Sequence, residues 1–202
     1  MIKFSIKNNF PAVAKSLDEL AVDMGRKAMG RAISRTIEQG KTEMARQISS
    51  EFRLPVGQVK KRLVVAKTGW FSDKMRFIAI LSATSRRKGR SMNVIAFVTQ
   101  GRVSKAAAKR RGDVGAAGQL QFQIKRGGDK KMIKGAFIAN NGRTVFIREG
   151  KGRLPIKALN TIDVPQMFNT KRINTKVREV MLKRFVANFE RERNAVLRGY
   201  GK

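Results

Sequence analysis

The chain has 202 residues, 42% of them hydrophobic, which suits one domain with a packed core and excludes a disordered tail. Lys plus Arg number 45 against 14 Asp plus Glu, a net charge of +31 that attracts nucleic acid or an anionic surface and repels further copies of the chain. With no Cys and no His, disulfide frameworks, thiolate nucleophiles, Cys/His zinc sites and a His general base are excluded.

At the N-terminus Ile2, Phe4 and Ile6 alternate with Lys3, Ser5 and Lys7, which predicts a short strand over 1–10. This stretch has no continuous apolar core, so no signal peptide is expected. Pro11 fits the first turn of a helix. A long helix is predicted over 12–51, with Leu17, Leu20, Met24, Ala28, Ile33, Ile37, Met44 and Ile48 at mostly helical spacing. Gly25, Gly30 and Gly40 fall inside that pattern. Each costs about 1 kcal/mol relative to Ala, so the helix can kink or break near Gly40. The same glycines allow another helix to come close.

Phe52 to Pro55 interrupts the helix, and Val56 to Leu63 predicts a second, short one with Lys60, Lys61 and Arg62 outward. Strands follow. Leu63–Ala66 is one, Met75–Ala83 a better one, and Met92–Gln100 is expected to pair with it across the basic turn Ser85–Arg90. Residues 101–118 read as a long loop. Leu120–Gly127, Met132–Ala139 and Thr144–Glu149 are further strands. Asn141-Gly142 sets a tight hairpin turn between the last two, and Gly135 marks a bulge or close approach. Pro165 begins a C-terminal helix to about Arg198, with Val177, Met181, Phe185, Phe189 and Val196 as its apolar stripe. No apolar run reaches the ~20 residues of a membrane span. The expected architecture is a one-domain α+β fold over 1–202: the helix 12–51, an antiparallel sheet with basic loops over 63–149, and the helix 165–198.

Three chemistries compete for the stretch GAFIANNGRTVFIREGKGRLPI, Gly135–Ile156. A phosphate-binding loop needs G-x-x-x-x-G-K-[ST] between a strand and a helix; here Gly152 leads into Arg153-Leu154-Pro155 with no helix. A metal-dependent nuclease would use Glu149 and Lys151, a Glu-x-Lys pair at a strand end. It also needs further carboxylates converging on the metal. Between Lys74 and Arg148 there are 18 Lys or Arg and only two acids, Asp113 and Asp129, neither on a convincing strand. The hairpin reading is the simplest: the stretch is scaffold, and neither a metal nor a cofactor is expected.

The same stretch, with Val164-Pro165 after it, resembles the core signature of the minor tail protein Z family of lambda-like phages and prophages. In that family a "GAFI" strand, a variable turn, a "VF.R" strand and a "GK.R.PI" turn precede a Val-Pro and a C-terminal helix. RAISRTIEQGKTEMARQISSEFRLPVGQVKKRL, residues 31–63, resembles the family's N-terminal helix and the short helix after it. The resemblance implies a structural, non-enzymatic virion protein with one tail-completion-like domain. It would assemble in the host cytoplasm, act at the head-proximal end of the tail and help DNA enter the tail lumen. It further implies a homo-oligomeric ring, hexameric to match the tail, beside tail terminator and neck proteins and with no membrane.

Charge and resemblance meet in two acid-free segments, Arg86, Arg87, Lys88, Arg90 and Arg102, Lys105, Lys109, Arg110, Arg111. Facing phage DNA or the lumen, they would supply affinity without reading sequence; as solvated loops they would only keep the chain soluble. Gly25 and Gly30 are the candidate contact between copies, against ordinary core packing. A sequence-independent nucleic-acid binder is the main alternative function. The nuclease and a membrane-surface role for the basic C-terminal helix are weaker ones.

Overall fold

The computed structural model describes residues 22–71, 76–84, 91–100, 105–110 and 119–199. The expected strand over 1–10, together with Leu17 and Leu20, lies outside them. Two compact units divide the chain: residues 1–47, 57–84 and 165–202 form the first, and 48–56 with 85–164 the second.

The first unit is built on two long helices, α1 (Val22–Glu51, whose last residues belong to the second unit) and α5 (Lys171–Leu197). Along α1 the buried positions Ala28, Ala32 and Ile33, Thr36 and Ile37, Gly40, and Met44 and Ala45 recur at each turn, which is the spacing of one helix face. On α5 the buried series is Ile173, Val177, Met181, Phe185, Phe189 and Val196. The rings of Phe185 and Phe189 stack with centroids 6.3 Å apart.

Gly40 does not break α1. It is buried, and a Cβ there would lie 2.5 Å from Met181 Sδ and 2.9 Å from its Cγ. Glycine is thus required by the neighbouring helix, and its unfavourable helical propensity is offset by packing.

Polar groups join the same two helices. Asn188 Nδ2 donates to Thr36 Oγ1 (3.0 Å) and Gln39 Oε1 (3.1 Å), while the Thr36 hydroxyl donates to the carbonyl of Ala32 (2.7 Å). The buried Glu192 carboxylate accepts Arg35 Nε at 3.0 Å. Buried polar atoms are costly unless paired, so these pairs fix which residues of the two helices can face one another.

The rest of the unit is a short helix α2 (Val56–Lys60) and a hairpin of β1 (Leu63–Phe71) with β2 (Arg76–Ala83), which carries an irregularity between Val65 and Lys67. This corrects the expected pairing of 75–83 with 92–100: β2 takes its sequence neighbour β1 instead. The C-terminal segment also differs from one helix starting at Pro165. It begins as α4 (Val164–Phe168), pauses at Asn169 and Thr170, and resumes as α5.

The second unit carries three small antiparallel sheets where one was expected. Residues 92–100 divide into β3 (Met92–Asn93), a 3-10 turn (Val94–Phe97) and β4 (Val98–Gln100). The cause is Asn93, whose side-chain oxygen accepts the Ile95 amide (3.1 Å) and so caps the turn. Beyond α3 (Lys105–Arg110), β5 (Leu120–Phe122) joins β4 to β6 (Lys131–Ile133). Strands β7 (Phe137–Ala139), β8 (Thr144–Arg148) and β9 (Ile156–Ala158) form the next sheet, and β10 (Asn160–Thr161) pairs with β3. Leu120, Ala136 and Val145 make a buried cluster packed by Ile95, Val98, Ile133 and Leu159.

Candidate nucleic-acid interface

The end of α1 is anchored to the turn after β5. The Arg126 guanidinium donates to the Ser49 carbonyl (2.8 Å) and the Arg126 amide to Glu51 O (2.9 Å), satisfying carbonyls that a helix C-terminus leaves open. Arg53 N donates to Ile124 O (2.9 Å), and Gln123 Nε2 holds the carbonyls of Arg126 and Gly128 at 3.0 and 2.8 Å. The basic stretch that follows is therefore presented on an ordered turn. From 119 to 157 the chain has ten Lys or Arg and two acids.

The hairpin β7–β8 pairs Phe137 with Phe146 and Ala139 with Thr144. Its loop turns through three consecutive left-handed residues, Asn140 (φ 56°), Asn141 (φ 52°) and Gly142 (φ 77°), and closes with Arg143 N donating to Asn140 O at 3.1 Å. Asn and Gly are the residues that adopt this backbone at least cost. Gly135 also has positive φ (79°), with open space where a Cβ would stand, so it is a turn between β6 and β7 rather than a close approach. Asn93 acts again here: its side-chain oxygen accepts Val145 N (2.9 Å) and its amide donates to Val145 O (3.2 Å). One side chain thus adds, at Val145, to the bonding that β7 and β9 give the rest of β8, and no sequence pattern announced it.

Of the nine basic residues proposed to face DNA, Arg86, Arg87, Lys88, Arg90, Arg102 and Arg111 lie outside the described residues. Lys105, Lys109 and Arg110 share the single turn-and-a-half of α3, where Lys109 and Arg110 are exposed. On α1, Gly25 is buried and Gly30 half-buried. Glu149 and Lys151 are exposed at the end of β8, and the Glu149 carboxylate lies 3.9 Å from Lys157 Nζ. Among the described residues no three Asp or Glu side chains come together as a metal site would require. Nor, among these described residues, is any helix long and apolar enough to cross a membrane.

The described residues form a basic α+β scaffold with short strands and stitched turns, and within them the Glu-x-Lys pair has no cluster of further carboxylates around it. Comparison with protein families gives the family: the model described as prophage minor tail protein Z matches residues 10–202, and the chain belongs to that family. No curated protein and no solved structure matches it. Its role is thus structural, in the tail of a phage.

Proposed function

We propose that the chain forms a ring at the head-proximal end of the tail, completes tail assembly, and guides genomic DNA along a basic surface. The observation that carries this is the join of family and charge: a tail protein with net charge +31 whose acid-free segments 86–90 and 102–111 concentrate cations. DNA in the tail lumen would present its backbone phosphates to the surrounding protein, and cations bind these without reading sequence. The ring also needs contacts between copies, and we assign these to the α1 surface at Gly30, which is half-buried where Gly25 is buried. Tail terminator and neck proteins would be its neighbours.

Peptide mass spectrometry of purified particles tests the placement. The expected result is this chain at about one ring per particle; its absence from particles, with recovery from bulk host nucleic acid, selects the general nucleic-acid binder instead. Duplex DNA affinity should fall with salt, with a log–log slope of about −0.9 for each phosphate contacted. A flat response removes the DNA-facing surface from the proposal. Gly30→Leu is expected to abolish assembly while leaving the helical circular-dichroism signal in place. Rings that persist in this variant place the contact elsewhere.

A further inference from the structure

The sheet β7–β8–β9 has two unlike faces. Directly opposed residues of antiparallel strands point to the same side. Val145 points into the buried cluster with Leu120 and Ala136. The opposite side carries Phe137 opposite Phe146, and Arg148 opposite Ile156. The two phenylalanines are half-buried, with ring centroids 6.1 Å apart and planes inclined by 30°. The Arg148 guanidinium lies over the Phe137 ring, 4.8 Å from its centroid, and also donates to the Arg153 carbonyl. Ile156 is 38% exposed and Leu154, at the adjoining turn, 70%.

Neighbouring aromatic rings with a guanidinium held against one of them form an apolar surface with a cationic edge. Charge decides between its two plausible occupants. From 131 to 157 there are seven Lys or Arg and one acid, Glu149, which already has Lys157 beside it. A second copy of the chain would bring that excess of cations against itself. An unpaired nucleic-acid strand offers phosphates to the cations and base faces to the rings. A duplex offers only the first: its bases are stacked about 3.4 Å apart along each strand, with their faces hidden.

We propose that this face of β7–β8–β9 is a stacking platform for an unpaired nucleic-acid strand. Phe146 receives a base, and Arg148, laid over the Phe137 ring and fixed in advance by that ring and the Arg153 carbonyl, meets the strand's backbone. The platform uses none of the residues of the basic segments assigned to duplex DNA, and it depends on neither the ring nor the tail position.

The test uses the full chain with fluorescently labelled oligothymidylate, oligouridylate and a duplex of equal phosphate number, read by anisotropy across a salt series. Both single strands are expected to keep measurable affinity at salt concentrations that abolish duplex binding, because stacking is not screened. Phe137→Ala should weaken single-strand binding about tenfold and leave duplex binding within about twofold. Phe146→Leu keeps apolar bulk for the fold and removes the aromatic face; with an unchanged melting profile, it should weaken single-strand binding in the same selective way. Single-strand and duplex affinities that fall together, or that both stay at the wild-type value, overturn the proposal. Variants that keep single-strand affinity but sediment as smaller species also overturn it, and assign the face to contact between copies.

Discussion

The two units are held together by different physics. In the first, apolar side chains and a few buried polar pairs join two helices whose own backbone hydrogen bonds are internal. In the second, strands of two to five residues leave many backbone groups to be satisfied one at a time, by Asn93, Gln123 and Arg126. A helix pair can lose a methylene and relax. A short strand that loses one hydrogen-bonding partner has few others to hold it.

That contrast can be broken most sharply at Phe185, which is fully buried on α5 and stacked on Phe189. Phe185→Ala should cost about 3–5 kcal/mol in urea or thermal unfolding, through lost burial and the cavity left behind. Next comes Gly40→Leu, which forces a side chain into the space of Met181 and should cost about 3 kcal/mol. Adding Met181→Ala to that variant should recover part of the loss, since the two sites share one space. Full additivity of the two changes would show that the close approach is not what destabilises Gly40→Leu. The smallest effect sharpens the other side. Asn93→Ala removes no core volume, yet it leaves Val145 and Ile95 without their side-chain partner and should cost about 2 kcal/mol. Hydrogen exchange should locate that loss: the Val145 amide exchanges faster, while amides in the middle of α5 keep their protection. Equal acceleration in both places would mean that the two units unfold as one.

The same contrast explains what the sequence made legible. Helical stripes are periodic, so Ile33, Ile37, Met44, Val177, Met181 and Phe185 could be assigned to buried faces without coordinates, and all of them are buried. The Asn141-Gly142 turn was legible because few residues tolerate its backbone. Apart from that hairpin, the pairing of strands was not. MNVIAFVTQ reads as one apolar strand, and only the spatial neighbour Val145 reveals why Asn93 ends it after two residues. Gly40 was visible as an oddity, but sequence alone left open a kink or a close approach; Met181 decides for the latter. The aromatic face of β7–β8–β9 needed the register, because Phe137 and Phe146 are neighbours only across the strands.

The notch at Gly40 has a consequence for descent. Positions 40 and 181 lie far apart in the chain but occupy one volume, so they are free to vary only together. A lineage that acquires a side chain at 40 can keep its helix pair by shortening residue 181, and the reverse order of events opens a void first. A genetic exchange whose crossover falls between the two codons would unite a notch with the wrong plug, even if each parental half is sound. Related chains should therefore show small residues at 40 paired with long ones at 181, and the converse pairing wherever the notch has been filled.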